Sequence, residues 1–127
     1  MSGVVIRAAT AGDYPSLREL LREYAAMFQH RLCFQSFEDE LAGLPGDYAP
    51  PDGFILLASM HDAPAGCIAL RSLSGEVGEL KRLFVRPEFR RHGLGRQLVT
   101  EAIREAVAAG KSVIRLDSLP EMTDAQR

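Results

Sequence analysis

A turn with two glycines and an arginine pair precedes the last long apolar stripe of the sequence. It consists of Arg90, Arg91, His92, Gly93, Leu94 and Gly95, and Arg96 follows it. Backbone N–H groups in such a turn can converge on an anion at the positive end of a helix dipole. The glycines let phosphate oxygens approach the backbone without an intervening Cβ, and the arginines add positive charge. The pattern therefore predicts a pyrophosphate-binding turn.

This turn has three other interpretations: a plain chain reversal, a dinucleotide-binding turn and a nucleotide-binding P-loop. A glycine-bearing turn before a helix is also a common way to reverse the chain. The dinucleotide pattern GxGxxG is not met, because Leu98 stands where the third glycine would be, and no GxxxxGK[ST] pattern occurs. His92 could titrate near neutral pH, but we expect it to occupy a plain loop position.

The elements that position this turn follow from apolar periodicity and from turn residues. A strand is predicted at residues 4–7, with Thr10 as the N-cap of an amphipathic helix over residues 14–28. Ser36 is expected to cap a shorter helix that ends at Leu44. Two antiparallel strands are predicted at 54–60 and 66–73, joined by a turn at 61–64.

The second half of the sequence predicts a β-loop-α-β unit around the turn. A strand should cover residues 77–86, a helix should begin near 93–95 and end before Gly110, and a strand should follow at 112–116. The two strands should be parallel and joined by a right-handed crossover. The predicted class is α/β (α+β), a mixed and mostly antiparallel sheet flanked by helices in the order β-α-α-β-β-β-α-β.

Bulk composition narrows the functional classes. A length of 127 residues with 46% apolar and 25% charged residues predicts one folded domain over residues 1–127. The net charge of −2 argues against nucleic-acid binding, and the arginines lack an interleaved aromatic platform on which bases could stack. No apolar run approaches the length of roughly 20 residues that a membrane helix needs.

The N-terminus and the potential metal ligands exclude further classes. The first residues lack the pattern of a secretory signal, so a cytoplasmic location is expected. Cys33 and Cys67 form no CxxC pair, and His30 and His61 have no companion ligands at a recognisable spacing. We therefore expect neither a membrane association nor a metal site.

The segment over residues 79–98, ELKRLFVRPEFRRHGLGRQL, resembles the acetyl-CoA motif of the GCN5-related N-acetyltransferase (GNAT) superfamily. Residues 90–95 match its core, (Arg/Gln)-x-x-Gly-x-(Gly/Ala). The order of predicted elements also follows that family, so the resemblance covers essentially the whole chain. It implies an N-acetyltransferase that moves an acetyl group from acetyl-CoA to a primary amine of a small molecule, a peptide or a protein.

The resemblance also implies where the cosubstrate lies. Backbone amides from Arg91 through Arg96 would hold the pyrophosphate, and Leu83, Phe84 and Val85 would meet the pantetheine arm. In the family, this strand and the strand after the helix splay apart to admit that arm. A strand N–H then polarises the thioester carbonyl and acts as an oxyanion stabiliser.

Glu79 is the candidate general base for such a transfer. An amine with an ordinary pKa of about 10.4 must lose a proton before it attacks, and a carboxylate can accept that proton directly or through water. Glu79 could equally pair with Lys81 or with an arginine on the sheet surface, because charge pairs across strands are common. The residues alone leave both interpretations open.

The sequence departs from the family pattern at its end. Residues 119–127 look like the entry to a further helix, whereas family members usually continue through that helix and two closing strands. Without them, the last predicted strand would expose an edge and an apolar face, and we expect homo-oligomers. The alternative function is a non-catalytic CoA-binding or interaction module.

Overall fold

The computed structural model describes residues 3–27 and 34–116. These residues form a five-stranded sheet with its strands in chain order, together with three α-helices and three 3₁₀ turns. The strands are β1 (Val4–Ala8), β2 (Phe54–Met60), β3 (Ala63–Ser72), β4 (Val77–Val85) and β5 (Val113–Leu116). The helices are α1 (Tyr14–Met27), α2 (Phe34–Ala42) and α3 (Leu94–Ala108), and the 3₁₀ turns are Ala11–Asp13, Gly46–Tyr48 and Pro87–Phe89.

Strand directions confirm the predicted fold class. Strands β1 to β4 pair antiparallel with their neighbours, and β4 and β5 pair parallel. The predicted β-loop-α-β unit is therefore present, with α3 as the connection. None of the helices in the described ranges has the length and apolar character that a bilayer-spanning helix requires.

Strand alternation produces a separate apolar core on each face of the sheet. Leu57 and Cys67 lie on the face covered by α1 and α2, whereas Leu56 and Ile68 lie on the face covered by α3. The predicted stripe of α1 is buried in the first core at Leu17, Leu20, Leu21 and Tyr24. A fully buried leucine contributes about 1.5–3 kcal/mol relative to an exposed one. These contacts hold α1 and α2 over the middle of the sheet.

The entry to α1 is held by a charged cluster at Thr10, which caps the 3₁₀ turn Ala11–Asp13 ahead of α1 rather than α1 itself. Asp13 ends the 3₁₀ turn before α1, and its carboxylate accepts hydrogen bonds from Arg7 Nη2 (2.7 Å) and from the Thr10 N–H (2.8 Å). The hydrogen bond from Arg7, then that from Thr10, hold the pKa of Asp13 well below its ordinary value. The ionised carboxylate therefore stabilises this corner of the fold.

The predicted bounds of α2 and of the β2–β3 turn are wrong for local reasons. Helix α2 contains Ser36 rather than starting after it, and it ends at Ala42, before Leu44. A residue that precedes a proline avoids helical geometry, and Pro45 follows Leu44. The β2–β3 turn has two residues rather than four, because His61 and Asp62 both take positive φ (51° and 70°) and close the hairpin tightly.

The outer edge of the sheet at β5 keeps apolar side chains in solvent. Val113 is 49% and Leu116 is 61% exposed. Pairing of copies through this edge stays a prediction from the sequence.

Candidate active site

The turn ahead of α3 presents its main chain outward. Arg91 and Gly93 both take positive φ (70° and 75°), and Gly93 is the N-cap of α3. The first helical hydrogen bond runs from the Gln97 N–H to the Gly93 carbonyl at 3.0 Å. Within the described part of the chain, the N–H groups of residues 91–96 donate to no backbone or side-chain acceptor. A Cβ added at Gly93 would meet no atom within 4 Å, so the space beside the Gly93 Cα is open.

The side chains of this turn divide into two groups. Arg90 Nε donates to the Val85 carbonyl at 2.8 Å, and the guanidinium lies 5.9 Å from the Phe84 ring centroid. Leu94 is buried in the core beneath α3. The exposed side chains are those of Arg91, His92 and Arg96. The turn therefore offers main-chain donors and two exposed arginines, while Arg90 is directed back into the fold.

The end of β4 places its side chains in both cores. Phe84 is buried in the core under α1 and α2, and Val85 is buried in the core under α3. Leu83 is partly buried and packs against both cores. Of the three residues expected to meet the pantetheine arm, Phe84 and Val85 can present only their main chain there.

A β-bulge interrupts β4 just before these residues. Cys67 pairs with Phe84 and Ala69 pairs with Lys81, so Ile68 alone faces both Arg82 and Leu83. Arg82 takes a φ of 63°, and left-handed backbone costs a residue other than glycine roughly 1–2 kcal/mol. Strand β5 pairs only with the first part of β4, from Val77 to Leu80. Among the described residues, no strand pairs with the β5 side of residues 82–85.

The Arg82 side chain is held by a group of residues that we call the Arg82 anchor: Glu40, Tyr48, Tyr24 and Phe37. Arg82 Nε and Nη2 donate to Glu40 Oε2 (3.0 Å) and Oε1 (2.8 Å). The Tyr48 hydroxyl donates to Glu40 Oε2 at 3.2 Å. The guanidinium lies 5.7 Å from the Tyr24 ring centroid and 5.4 Å from that of Phe37. These contacts join α1, α2 and the 3₁₀ turn at Tyr48 to the bulge.

Burial and charge shift the pKa values around the bulge. Burial alone would lower the pKa of Arg82, but the hydrogen bond to Glu40 and the nearby charges raise it overall. Burial is also the main reason that the pKa of Tyr48 is raised. The buried Cys67 thiol donates to the Arg82 carbonyl at 3.5 Å, and burial raises the pKa of that thiol to about 12. The Arg82 guanidinium is therefore charged and lies among neutral hydroxyl and thiol groups and one carboxylate.

Glu79 lies on β4 before the bulge, on the face covered by α1 and α2. Its Oε1 accepts a hydrogen bond from Arg71 Nε at 2.9 Å and lies 3.9 Å from Lys81 Nζ. Its Oε2 accepts no hydrogen bond from any described residue, and the side chain is 18% exposed. The predicted surface pairing is thus present, and it leaves one carboxylate oxygen for another donor. No metal-binding group of three His, Cys, Asp or Glu side chains occurs within residues 3–27 and 34–116.

The sequence indicated the turn and Glu79 but missed the bulge and its anchor. Glycine spacing and arginines marked the turn, whereas no glycine marks the positive φ at Arg82. Glu40 and Arg82 are 42 residues apart, so no local pattern could pair them.

Known proteins resemble this chain in sequence and in fold. The chain is 38% identical over 117 residues to an uncharacterised N-acetyltransferase of Schizosaccharomyces pombe, an alignment that spans 91% of this chain and 72% of that protein. An acetyltransferase of the GNAT family from Staphylococcus aureus has the same fold, with a TM-score of 0.81 at 21% identity over 97% of this chain and 78% of that one.

A further solved structure and a family model extend these comparisons. The PaiA N-acetyltransferase from Thermoplasma acidophilum, solved in complex with coenzyme A, has a TM-score of 0.74 at 22% identity over 93% of this chain and 80% of that one. The model of the acetyltransferase (GNAT) family matches residues 14–127. The chain therefore belongs to the GNAT family of acetyltransferases.

Proposed function

We propose that this chain transfers an acetyl group from acetyl-CoA to a primary amine of a small molecule, a peptide or a protein. One observation carries the proposal: the N–H groups of residues 91–96 have no acceptor among the described residues, and they lie in a turn at the positive end of α3. Backbone donors at a helix N-terminus match the chemistry of a diphosphate. Family membership supports acetyl transfer, and the donors indicate how acetyl-CoA would be held.

The residues present fit acetyl-CoA at both ends of the proposed site. Arg91 and Arg96 are exposed beside the donors and would add charge-assisted contacts to the diphosphate. The side of β4 that β5 leaves unpaired would accept the pantetheine arm through the main chain of Leu83, Phe84 and Val85. The complex of PaiA with coenzyme A supports the same ligand class for this fold.

The proposed chemistry needs one base and one oxyanion donor. Glu79 takes a proton from the acceptor amine, directly or through water. Its Oε2 is the oxygen available for this step, because Arg71 and Lys81 both contact Oε1. The amine nitrogen then forms a bond to the thioester carbon, and a main-chain N–H of β4 stabilises the resulting oxyanion. The C–S bond breaks, and the nitrogen loses its second proton as the amide forms. The CoA thiolate leaves and takes up one proton, which balances the proton lost from the nitrogen.

Calorimetry with acetyl-CoA, followed by thiol release over a panel of primary amines, tests the proposal. We expect saturable binding, and thiol release that depends on both acetyl-CoA and an amine. Binding without release over the panel would instead favour a non-catalytic CoA-binding module. An absence of binding would contradict both functions.

A pair of arginine variants locates the cosubstrate on the turn. Replacing Arg91 and Arg96 with alanine should weaken acetyl-CoA binding several-fold, with a smaller dependence on salt. The matched control is R104A, which removes an exposed arginine further along α3, where it pairs with Glu101 at 2.8 Å. Equal weakening in R104A would indicate a nonspecific charge effect and would contradict the assigned position.

A further inference from the structure

The bulge at Arg82 determines which way the end of β4 faces. Glu79 and Lys81 lie on the face covered by α1 and α2, so regular alternation would place Leu83 and Val85 there as well. Instead Phe84 lies in that core, and Val85 lies in the core under α3. One extra residue therefore turns the last part of the strand over.

The same extra residue changes the direction of the main-chain donors. Successive N–H groups along a strand point alternately to its two edges. A one-residue insertion exchanges the two sets, so the bulge selects which N–H groups of residues 83–85 face the side that β5 leaves unpaired. An oxyanion donor on this strand depends on that choice.

The backbone at Arg82 is held through its side chain. Glycine is the residue that usually occupies such a positive φ, because it has no Cβ. Arg82 occupies it here, and its side chain is only 12% exposed, with both hydrogen-bonding nitrogens on Glu40. The bidentate geometry fixes the direction of the guanidinium as well as its distance. The position of the bulge is therefore tied to α2 and to Tyr48.

We propose that Arg82 is a positioning residue for acetyl transfer. Through Glu40 and Tyr48 it fixes the bulge, and the bulge aims a main-chain N–H of residues 83–85 at the thioester carbonyl. Arg82 itself does not touch the reacting atoms. The inference rests on the proposed function. It adds that α2 and the 3₁₀ turn at Tyr48 should affect turnover, because they hold Arg82.

Steady-state kinetics on five proteins test the inference: the parent chain, R82G, R82K, E40Q and E23Q. In R82G, glycine tolerates the positive φ, but the side chain that the Arg82 anchor holds is absent. In R82K, the lysine ammonium can still reach Glu40. The matched control is E23Q, because Glu23 on α1 also holds an arginine near the end of β4, with Glu23 Oε2 2.8 Å from Arg86 Nη2. Thermal unfolding of each protein gives the folded fraction by which kcat is normalised.

We expect the effect in kcat rather than in KM for acetyl-CoA. Loss of one oxyanion donor lowers kcat about 10²–10³-fold, so a donor that is merely displaced in R82G should lower it at least about tenfold. E40Q should lower kcat less than R82G, because an amide still accepts one hydrogen bond, and R82K should recover part of the loss. KM for acetyl-CoA should stay within about threefold, since the turn ahead of α3 is unchanged.

Two results would overturn the inference. One is a normalised kcat for R82G and E40Q within about twofold of the parent value. The other is a loss of kcat in E23Q as large as that in E40Q. The ion pair between Glu23 and Arg86 would then matter as much as the pair that holds the bulge. A parent chain without acetyl-CoA-dependent turnover would instead defeat the proposed function, and the inference with it, so the two failures are distinguishable.

Discussion

The turn ahead of α3 and the bulge in β4 interact with their surroundings in opposite ways. In the turn, the main-chain donors of residues 91–96 have no acceptor in the described chain, and three side chains extend into solvent. At the bulge, the Arg82 side chain is buried and hydrogen-bonded to Glu40, and Glu40 also accepts from Tyr48. The first region leaves its main-chain donors without an acceptor in the described chain, whereas the second uses its hydrogen-bonding groups within the protein.

This difference predicts that binding and turnover can be changed separately. Substitutions that disturb the donors of the turn should change the dissociation constant for acetyl-CoA. Substitutions on β4 should change kcat, because they alter the direction of a donor or remove a base without affecting the diphosphate contacts.

The largest effect is expected from Glu79→Gln. A general base contributes about 10²–10⁴-fold, so E79Q should lower kcat by about 10²-fold near pH 7 while acetyl-CoA binding stays unchanged. The defect should shrink as pH rises towards the amine pKa of about 10.4, because the acceptor then loses its proton without help. Kinetics from pH 7 to 10 with calorimetry at pH 7 provide the measurement.

The control for this variant is E76Q, which removes an exposed carboxylate just before β4. It should leave kcat and its pH dependence as in the parent chain. Full turnover of E79Q across the pH range, with acetyl-CoA still bound, would remove Glu79 from the mechanism and leave its pair with Arg71 as its only role.

An intermediate effect is expected from Gly93→Ala. The added Cβ strains a backbone at φ 75° and enters the open space where the diphosphate is proposed to lie. We expect the dissociation constant for acetyl-CoA to rise about tenfold, equivalent to about 1.4 kcal/mol. Calorimetry measures this directly, and kcat at saturating acetyl-CoA should change little.

Gly110, just beyond the other end of α3, supplies the matched control for G93A. It also has positive φ (94°), and a Cβ there would likewise meet nothing within 4 Å. Both variants should lose a similar stability of roughly 1–2 kcal/mol from left-handed backbone. If G110A weakened acetyl-CoA binding as much as G93A does, strain alone would explain the result and the assigned turn would be wrong.

Local patterns were sufficient to predict the turn and the order of elements. The sequence predicts an amphipathic α1, and its buried residues lie three or four positions apart, at Leu17, Leu20, Leu21 and Tyr24. Glycine at 93 marks the positive φ at the cap of α3, because few other residues adopt it at low cost. A positive φ can therefore be predicted from the sequence where glycine occupies it.

The remainder depends on contacts between distant residues. Arg82, His61 and Asp62 all take positive φ without being glycine, so neither the bulge nor the two-residue hairpin has a local signature. The sequence predicts Arg90 as a phosphate contact but does not predict that its Nε donates to the Val85 carbonyl at 2.8 Å. The destination of a long side chain depends on which acceptors the fold brings near it, and that information is not local.

The smallest effect is expected from Asp13→Asn, at a site outside both regions. The folded-state pKa of Asp13 is below its ordinary value of 3.8, so the ionised carboxylate stabilises the fold above that pH and ceases to do so as pH falls through the lowered pKa. Loss of a helix-capping group costs about 0.5–2 kcal/mol, so D13N should unfold at a lower urea concentration than the parent at pH 7 and should differ less from it at pH 3.

The control is D62N, because asparagine also tolerates the positive φ of that exposed turn. Unchanged kcat and acetyl-CoA affinity in D13N would show that a modest loss of stability affects neither quantity, so changes in G93A or E40Q arise from the turn and the bulge themselves. A D13N protein with impaired turnover would contradict the separation, because stability alone would then alter the chemistry.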